Sequence, residues 1–151
     1  MRDTNIEPVR RSVEVRRSPT EAFRLFTDEI DTWWPLATHS VGEGKAIGCV
    51  FEGRAGGRIY ETLDDGTLHL WGTVTVWEPP SRLVFSWYPG RDATTAQEVE
   101  LRFLESGGGT RVELEHRGWD VLGERGAEVR DNYETGWVPV LARYADRCAK
   151  T

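Results

Sequence analysis

This chain has almost no sulfur: two cysteines and one methionine among 151 residues. Cys49 and Cys148 lie far apart, with neither a C-x-x-C pair nor a disulfide framework, so they read as small buried hydrophobes. Histidine is scarce too. The three, His39, His69 and His116, show neither H-x-H nor H-E-x-x-H spacing, so no metal site is expected. G-x-G-x-x-G is absent, and Gly107-Gly108-Gly109 joins two strand-like segments instead of opening a helix. Neither a phosphate-binding loop nor a cofactor is expected. No stretch approaches the roughly 18–20 apolar residues of a membrane span. Residues 1–12 lack the apolar core of a secretory leader, which makes the cytoplasm the expected location. Basic charge is short as well: 19 Lys and Arg stand against 25 Asp and Glu, a net charge of −6. Arg10, Arg11, Arg16 and Arg17 are interleaved with Glu14, so no concentrated basic face suits nucleic acid as a partner.

What the chain does have is tryptophan, seven in all. Three of them fall between Trp71 and Trp87, in WGTVTVWEPPSRLVFSW. Two β-rich runs, 72–77 and 83–87, flank the connector Glu78-Pro-Pro-Ser-Arg82. Proline cannot donate to a strand ladder, so the pair ends one strand and stiffens the turn of an antiparallel hairpin. A hairpin this aromatic is either a packed core or the wall of a pocket.

The remaining segments follow the same logic. Residues 9–17 alternate as a first strand. Ser18-Pro19-Thr20-Glu21 has the form of a helix start, with Ser at the N-cap, Pro at the first position and Glu closing a capping box. Phe23, Phe26, Ile30 and Trp33/Trp34 continue at helical spacing until Pro35. Short strands are expected at 46–52 and 58–63, then from Leu68 after the turn Asp64-Asp65-Gly66. Segments 97–104 and 110–116 alternate apolar with charged residues, as in a sheet covered on one face only. Residues 126–150 carry an amphipathic stripe: Val129, Tyr133, Trp137, Val140/Leu141, Tyr144 and Cys148. Gly136 and Pro139 interrupt it, and Pro139 is expected to kink it. The order β-α-α-β-β-β-β-β-β-α is an α+β layout in one domain over 1–151, with its core at about 9–149.

Several segments recur together: Phe26-Thr-Asp with Trp33-Trp34-Pro35, Gly57-Arg-Ile-Tyr-Glu61, Gly72-Thr-Val, Glu78-Pro-Pro-Ser-Arg-Leu-Val-Phe-Ser-Trp87, Gly109-Thr-Arg-Val-Glu-Leu-Glu-His116 and Gly136-Trp137. In this order the chain resembles the SRPBCC (START/Bet v 1-like) superfamily. Within it, the chain resembles the group homologous to the activator of the heat-shock-protein-90 ATPase. The resemblance implies a helix-grip fold: a curved antiparallel sheet wrapped around the long last helix, two short helices after the first strand, and an elongated cavity between sheet and helix. Members bind mostly apolar ligands, and a minority are cyclases, aromatases or dehydratases. The co-chaperone behind the group's name has a further N-terminal docking region for which 151 residues leave no room, so Hsp90 regulation is not expected.

On that fold a small apolar or aromatic ligand would meet walls from Trp34, Trp71, Trp87, Phe103, Tyr133 and Trp137. Polar orientation would come from His116, Arg58 or His69, with Tyr60 beside Arg58. His116 is in phase with Val112 and Leu114 and points to the covered face. It is either the acid/base of an enzyme or a hydrogen-bonded histidine at a strand end. Arg58 is either a buried carboxylate anchor or an exposed strand arginine. His69 and Trp71 share a face opposite Leu68 and Leu70, and a β-bulge near Gly72 would change the phase beyond it. His39-Ser40 is expected at the cavity mouth and lacks the G-x-S-x-G setting of a nucleophile. A protein-interaction module is the third class, and free edge strands permit a homodimer.

Overall fold

The structure, a computed structural model, describes residues 6–150. Strand β1 (Val9–Val15) enters helix α1 (Pro19–Thr27) through the N-cap read from sequence: the Ser18 hydroxyl accepts from Glu21 N, and Pro19 starts the helix, while the Glu21 carboxylate accepts from Arg24 at 3.0 and 3.2 Å instead of closing the expected capping box. Helical spacing does not continue to Trp34. After Asp28 the chain makes one 3₁₀ turn, Ile30–Thr32, so the second short helix is three residues long. The aromatic pair explains why it stops there. Both rings are buried: Trp33 donates its indole N–H to Leu25 O at 2.9 Å, and Trp34 donates to His39 O at 2.7 Å.

Six further strands follow: β2 (Ala46–Phe51), β3 (Arg58–Leu63), β4 (Leu68–Glu78), β5 (Arg82–Trp87), β6 (Gln97–Ser106) and β7 (Gly109–Arg117). All neighbours are antiparallel, in the order β1-β7-β6-β5-β4-β3-β2. The proline hairpin stands as read: Glu78 pairs with Arg82 across it. Helix α2 (Gly126–Ala149) then crosses the concave face, and the whole is a seven-stranded helix-grip fold.

Pro139 lies inside α2, which continues through it as one 24-residue helix. One turn earlier, the Arg11 guanidinium clasps the Glu134 carbonyl at 2.6 and 3.0 Å, tying β1 to the helix next to Thr135, whose carbonyl Pro139 leaves without its helical donor. Tyr144 donates to Ala22 O at 2.6 Å and Arg143 to Trp33 O at 2.8 Å, fixing the far half of α2 against α1 and the following turn.

The outward face of the sheet is a lattice of mixed charge. Glu100, buried there, accepts from Arg82, Arg102 and Arg117 at 2.7–2.9 Å. Its burial raises the pKa, but the three guanidiniums outweigh that and hold it at about 2. Among the described residues, no helix is long and apolar enough to cross a membrane.

The two faces of β4 are set by bulges. Between β3 and β4 the register passes from Ile59↔Gly72 to Tyr60↔Leu70, leaving Trp71 as the extra residue; a second shift lies between Val74 and Val76. Trp71 and Val74 are buried, and Trp77 packs on Phe23 at 5.0 Å, while Leu68 and Leu70 are exposed. Inward residues thus fall at 71, 74 and 77, a spacing that strict alternation does not produce. Gly72 permits the bend. A Cβ there would stand 1.8 Å from the Ser86 carbonyl oxygen on β5.

Candidate functional site

Trp34, Trp71, Trp87 and Trp137 come from the turn after α1, from β4, from β5 and from α2. They nevertheless form one cluster. Ring centroids stand 5.0 Å apart for Trp34–Trp71, 5.7 Å for Trp71–Trp87, 5.9 Å for Trp87–Trp137 and 6.0 Å for Trp34–Trp137. Together with Tyr133 they bound a cavity of about 440 Å³ between the sheet and α2, inside the range of about 300–1,000 Å³ common for small-molecule sites. The segment Thr38–Val41 and the turn Pro89–Gly90 form its rim. On α2 the lining positions are Asn132, Tyr133, Gly136, Trp137 and Val140, one stripe at helical spacing. Gly136 keeps the middle of that stripe open, since a Cβ there would meet no atom within 4 Å.

Every indole N–H in this wall has a protein acceptor. Trp34 donates to His39 O, Trp71 to Glu61 Oε1 at 2.6 Å, Trp87 to the Tyr133 hydroxyl at 3.3 Å and Trp137 to His116 Nδ1 at 3.0 Å. The rings are thereby fixed in orientation, and what they offer inward is their faces.

Glu61 was not among the residues singled out from sequence. Fully buried between Ile59 and Leu63 on the inner face of β3, it accepts from the indole of Trp71 and from Val41 N and Gly42 N at 2.7 Å each. One carboxylate therefore holds both a wall and the rim. The signal was present: an acidic residue on the apolar side of an alternating strand needs donors aimed at it.

Of the other expected residues, His69 is half-buried on the Trp71 face of β4 and is not part of the cavity lining. Phe103 lies elsewhere in the core, packed on Phe23 at 5.1 Å and Phe26 at 6.3 Å. Arg58 and Tyr60 are on the outward face of β3. Arg58 is exposed, pairs with Glu52 at 3.2 Å and lies over the Tyr60 ring at 5.1 Å. The alternation that buries Ile59, Glu61 and Leu63 sends both outward.

His116 is fully buried but lies behind the wall, outside the cavity lining. Its ring stacks against Trp119 at 4.1 Å and meets Tyr133 at 4.8 Å, and Nε2 faces Gln97 Oε1 at 3.3 Å. Burial pushes its pKa down to about 3, so the ring is neutral at ordinary pH, with Nδ1 accepting and Nε2 carrying the hydrogen. Both nitrogens are engaged within the core. The ionisable side chains on the cavity itself are His39, whose Nδ1 meets Thr38 Oγ1 at 2.7 Å, and Tyr133, whose phenol is pushed up by burial. Both cysteines are buried, and burial pushes the Cys49 thiol up to about 12. Among the described residues, no group of three or more His, Cys, Asp or Glu is arranged to hold a metal.

The family model for activator of Hsp90 ATPase homolog 1-like proteins matches residues 16–145. Among solved structures, an anthrahydroquino-gamma-pyrone synthase, Txn09, is 36% identical over 96% of this chain and 99% of that one, with a TM-score of 0.64. The self-sacrificing resistance protein CalC from Micromonospora echinospora is 28% identical over 99% and 100% of the two chains, with a TM-score of 0.70. The Aha1 dimer from Colwellia psychrerythraea shares the fold at 16% identity, covering 93% and 95%, with a TM-score of 0.66. A search of the curated proteins found no match.

Proposed function

Because the chain belongs to the activator of Hsp90 ATPase homolog 1-like family and encloses an indole-faced cavity, we propose that it binds small, flat, mostly aromatic molecules between the sheet and α2. The observation that carries this reading is the wall itself. Four indoles whose N–H groups are all spent on the protein leave π faces as the main recognition surface, and such surfaces favour stacked, apolar rings. The names of two relatives lend support. One is a synthase of an anthrahydroquinone-derived pyrone, the other a resistance protein.

The test uses 8-anilinonaphthalene-1-sulfonate as a reporter. The wild-type protein is expected to give a saturable, single-site rise in emission. Gly136→Leu, which extends a side chain into the open middle of the lining stripe, is expected to weaken it at least about tenfold, since filling a pocket removes the space a ligand needs. No saturable response in the folded wild type would sink the reading and favour a protein-interaction module.

An enzyme of the cyclase or dehydratase type is the second reading, favoured by the 36% identity to a synthase. In that case His39 and Tyr133, which line the cavity, are the acid/base groups, and His116 is not. Conversion of a bound ligand that survived His39→Ala and Tyr133→Phe alike would exclude that assignment.

A further inference from the structure

We propose that the Tyr133 hydroxyl is a ligand-recognising hydrogen-bond donor, and that the molecule it selects is a fused-ring aromatic bearing a carbonyl oxygen, such as a quinone or diaryl ketone. The inference rests on the binding reading above and adds the one polar atom such a ligand must present.

An inventory of donors and acceptors leads to it. The Tyr133 oxygen accepts the Trp87 indole N–H at 3.3 Å, and among the described residues its own hydrogen meets no acceptor. A hydroxyl that has accepted one hydrogen bond is polarised to donate the next. Burial raises the phenol pKa, so the group stays protonated and remains a donor near neutral pH. No Arg, Lys, Asp or Glu lines the cavity itself, while Arg91, next to Gly90 of the rim, lies close enough to act on the Tyr133 phenol. Glu61, the carboxylate nearest the wall in the bonding network, already accepts from Trp71, Val41 and Gly42. Of the other polar side chains on the lining, Ser40 donates to Leu36 O, Thr38 pairs with His39 Nδ1 at the rim, and Asn132 is exposed, so the donor left inside the aromatic slot, at its α2 side, is the Tyr133 hydroxyl. A carbonyl in the ring plane accepts along its lone pairs while the ring faces still stack on the indoles.

A matched pair of probes isolates that donor. 9-Fluorenone and fluorene differ by one carbonyl oxygen and otherwise share size and planarity. Their dissociation constants are measured by displacement of 8-anilinonaphthalene-1-sulfonate from the full chain. The wild type is expected to prefer fluorenone about three- to tenfold, the weight of one neutral hydrogen bond. Tyr133→Phe should erase that preference while fluorene binding stays within about twofold, which also shows the cavity intact. Trp87→Phe, which frees the hydroxyl without removing it, should keep the preference. A wild type with no preference, or a Tyr133→Phe protein that retains it or loses both probes equally, overturns the proposal while leaving the binding reading in place. If neither probe displaces the reporter from the wild type, the binding reading itself is wrong.

Discussion

Trp137 donates its indole N–H to Nδ1 of His116 at 3.0 Å, so a wall of the cavity is set by a histidine that does not line it. The bond fixes the tautomer. Nδ1 must accept, which leaves the hydrogen on Nε2 facing Gln97. Protonating the ring would place a second donor against Trp137 and charge a site enclosed by Trp119, Tyr133 and Trp137. His116 therefore positions an aromatic wall and depends on staying neutral.

That dependence has a pH signature. The folded-state pKa of about 3 lies below the 6.5 of a free imidazole, so the unfolded chain binds a proton that the folded chain refuses. Stability from this group is complete above about pH 6.5 and falls as pH drops toward 3. Between pH 7 and pH 5 the wild type is expected to lose about 2 kcal/mol, read from urea midpoints. His116→Asn, whose side-chain oxygen can accept from Trp137, should be nearly flat over that interval. Glu100, held at about 2 against 4.5, adds its own loss only as pH falls below about 4.5, so the two effects separate. An equal slope in His116→Asn would show that another group carries the dependence.

His116 also shows what the sequence could convey. Its phase with Val112 and Leu114 announced an inward side chain, and it is inward. Whether inward meant cavity or core depended on residues 17 and 21 positions away, Tyr133 and Trp137, and on how α2 lies across the sheet. The Ser18 N-cap, the proline hairpin and the succession of seven strands along the chain were local signals and stand as read. The face of β4 was not legible, because two bulges change its phase and a bulge is a property of paired strands. Glu61 escaped for a similar reason. Its donors lie 19 and 20 residues upstream and 10 downstream.

Removal of the Glu61 carboxylate should be severe. Glu61→Leu leaves Val41 N, Gly42 N and the Trp71 indole without their acceptor. A buried unsatisfied donor costs about 1–3 kcal/mol, in full for the Trp71 indole and less for the two half-buried backbone groups, so a loss of about 2 kcal/mol or more is expected. Glu61→Gln keeps the shape but replaces one acceptor oxygen by a donor, and should lose less. Chemical denaturation orders the two, and a Glu61→Leu protein as stable as wild type would mean that the rim is held by other contacts.

Arg58 offers a contrast, because the structure puts it on the far side of β3 from the cavity. Its pair with Glu52 and its contact with Tyr60 are at the surface, where solvent screens such interactions to little net effect. Arg58→Ala is expected to leave the affinity for 8-anilinonaphthalene-1-sulfonate unchanged, under conditions where Gly136→Leu weakens it. A large loss in titrations of Arg58→Ala would place the binding site on the outer face.

Two glycines of similar appearance in the sequence should respond in opposite directions to the same substitution. At Gly72 an added Cβ would sit 1.8 Å from the Ser86 carbonyl oxygen, a backbone atom that can retreat only if β4 and β5 separate. That hairpin carries Trp71 and Trp87, so separation would open the aromatic wall as well as break the ladder. Gly72→Ala is therefore expected to lose several kcal/mol, on the order of other severe backbone clashes, and to abolish cooperative unfolding if the strands cannot close. At Gly136 an added Cβ meets nothing within 4 Å and lies in the middle of α2. Alanine restricts the unfolded chain and suits a helix interior, so Gly136→Ala should stabilise by about 0.5–1 kcal/mol. Thermal melts of the two variants beside wild type decide the matter. A Gly72→Ala protein that melts with the wild type would mean that β4 and β5 approach less closely than the register implies, and a destabilised Gly136→Ala protein would mean that the stripe facing the cavity is already filled.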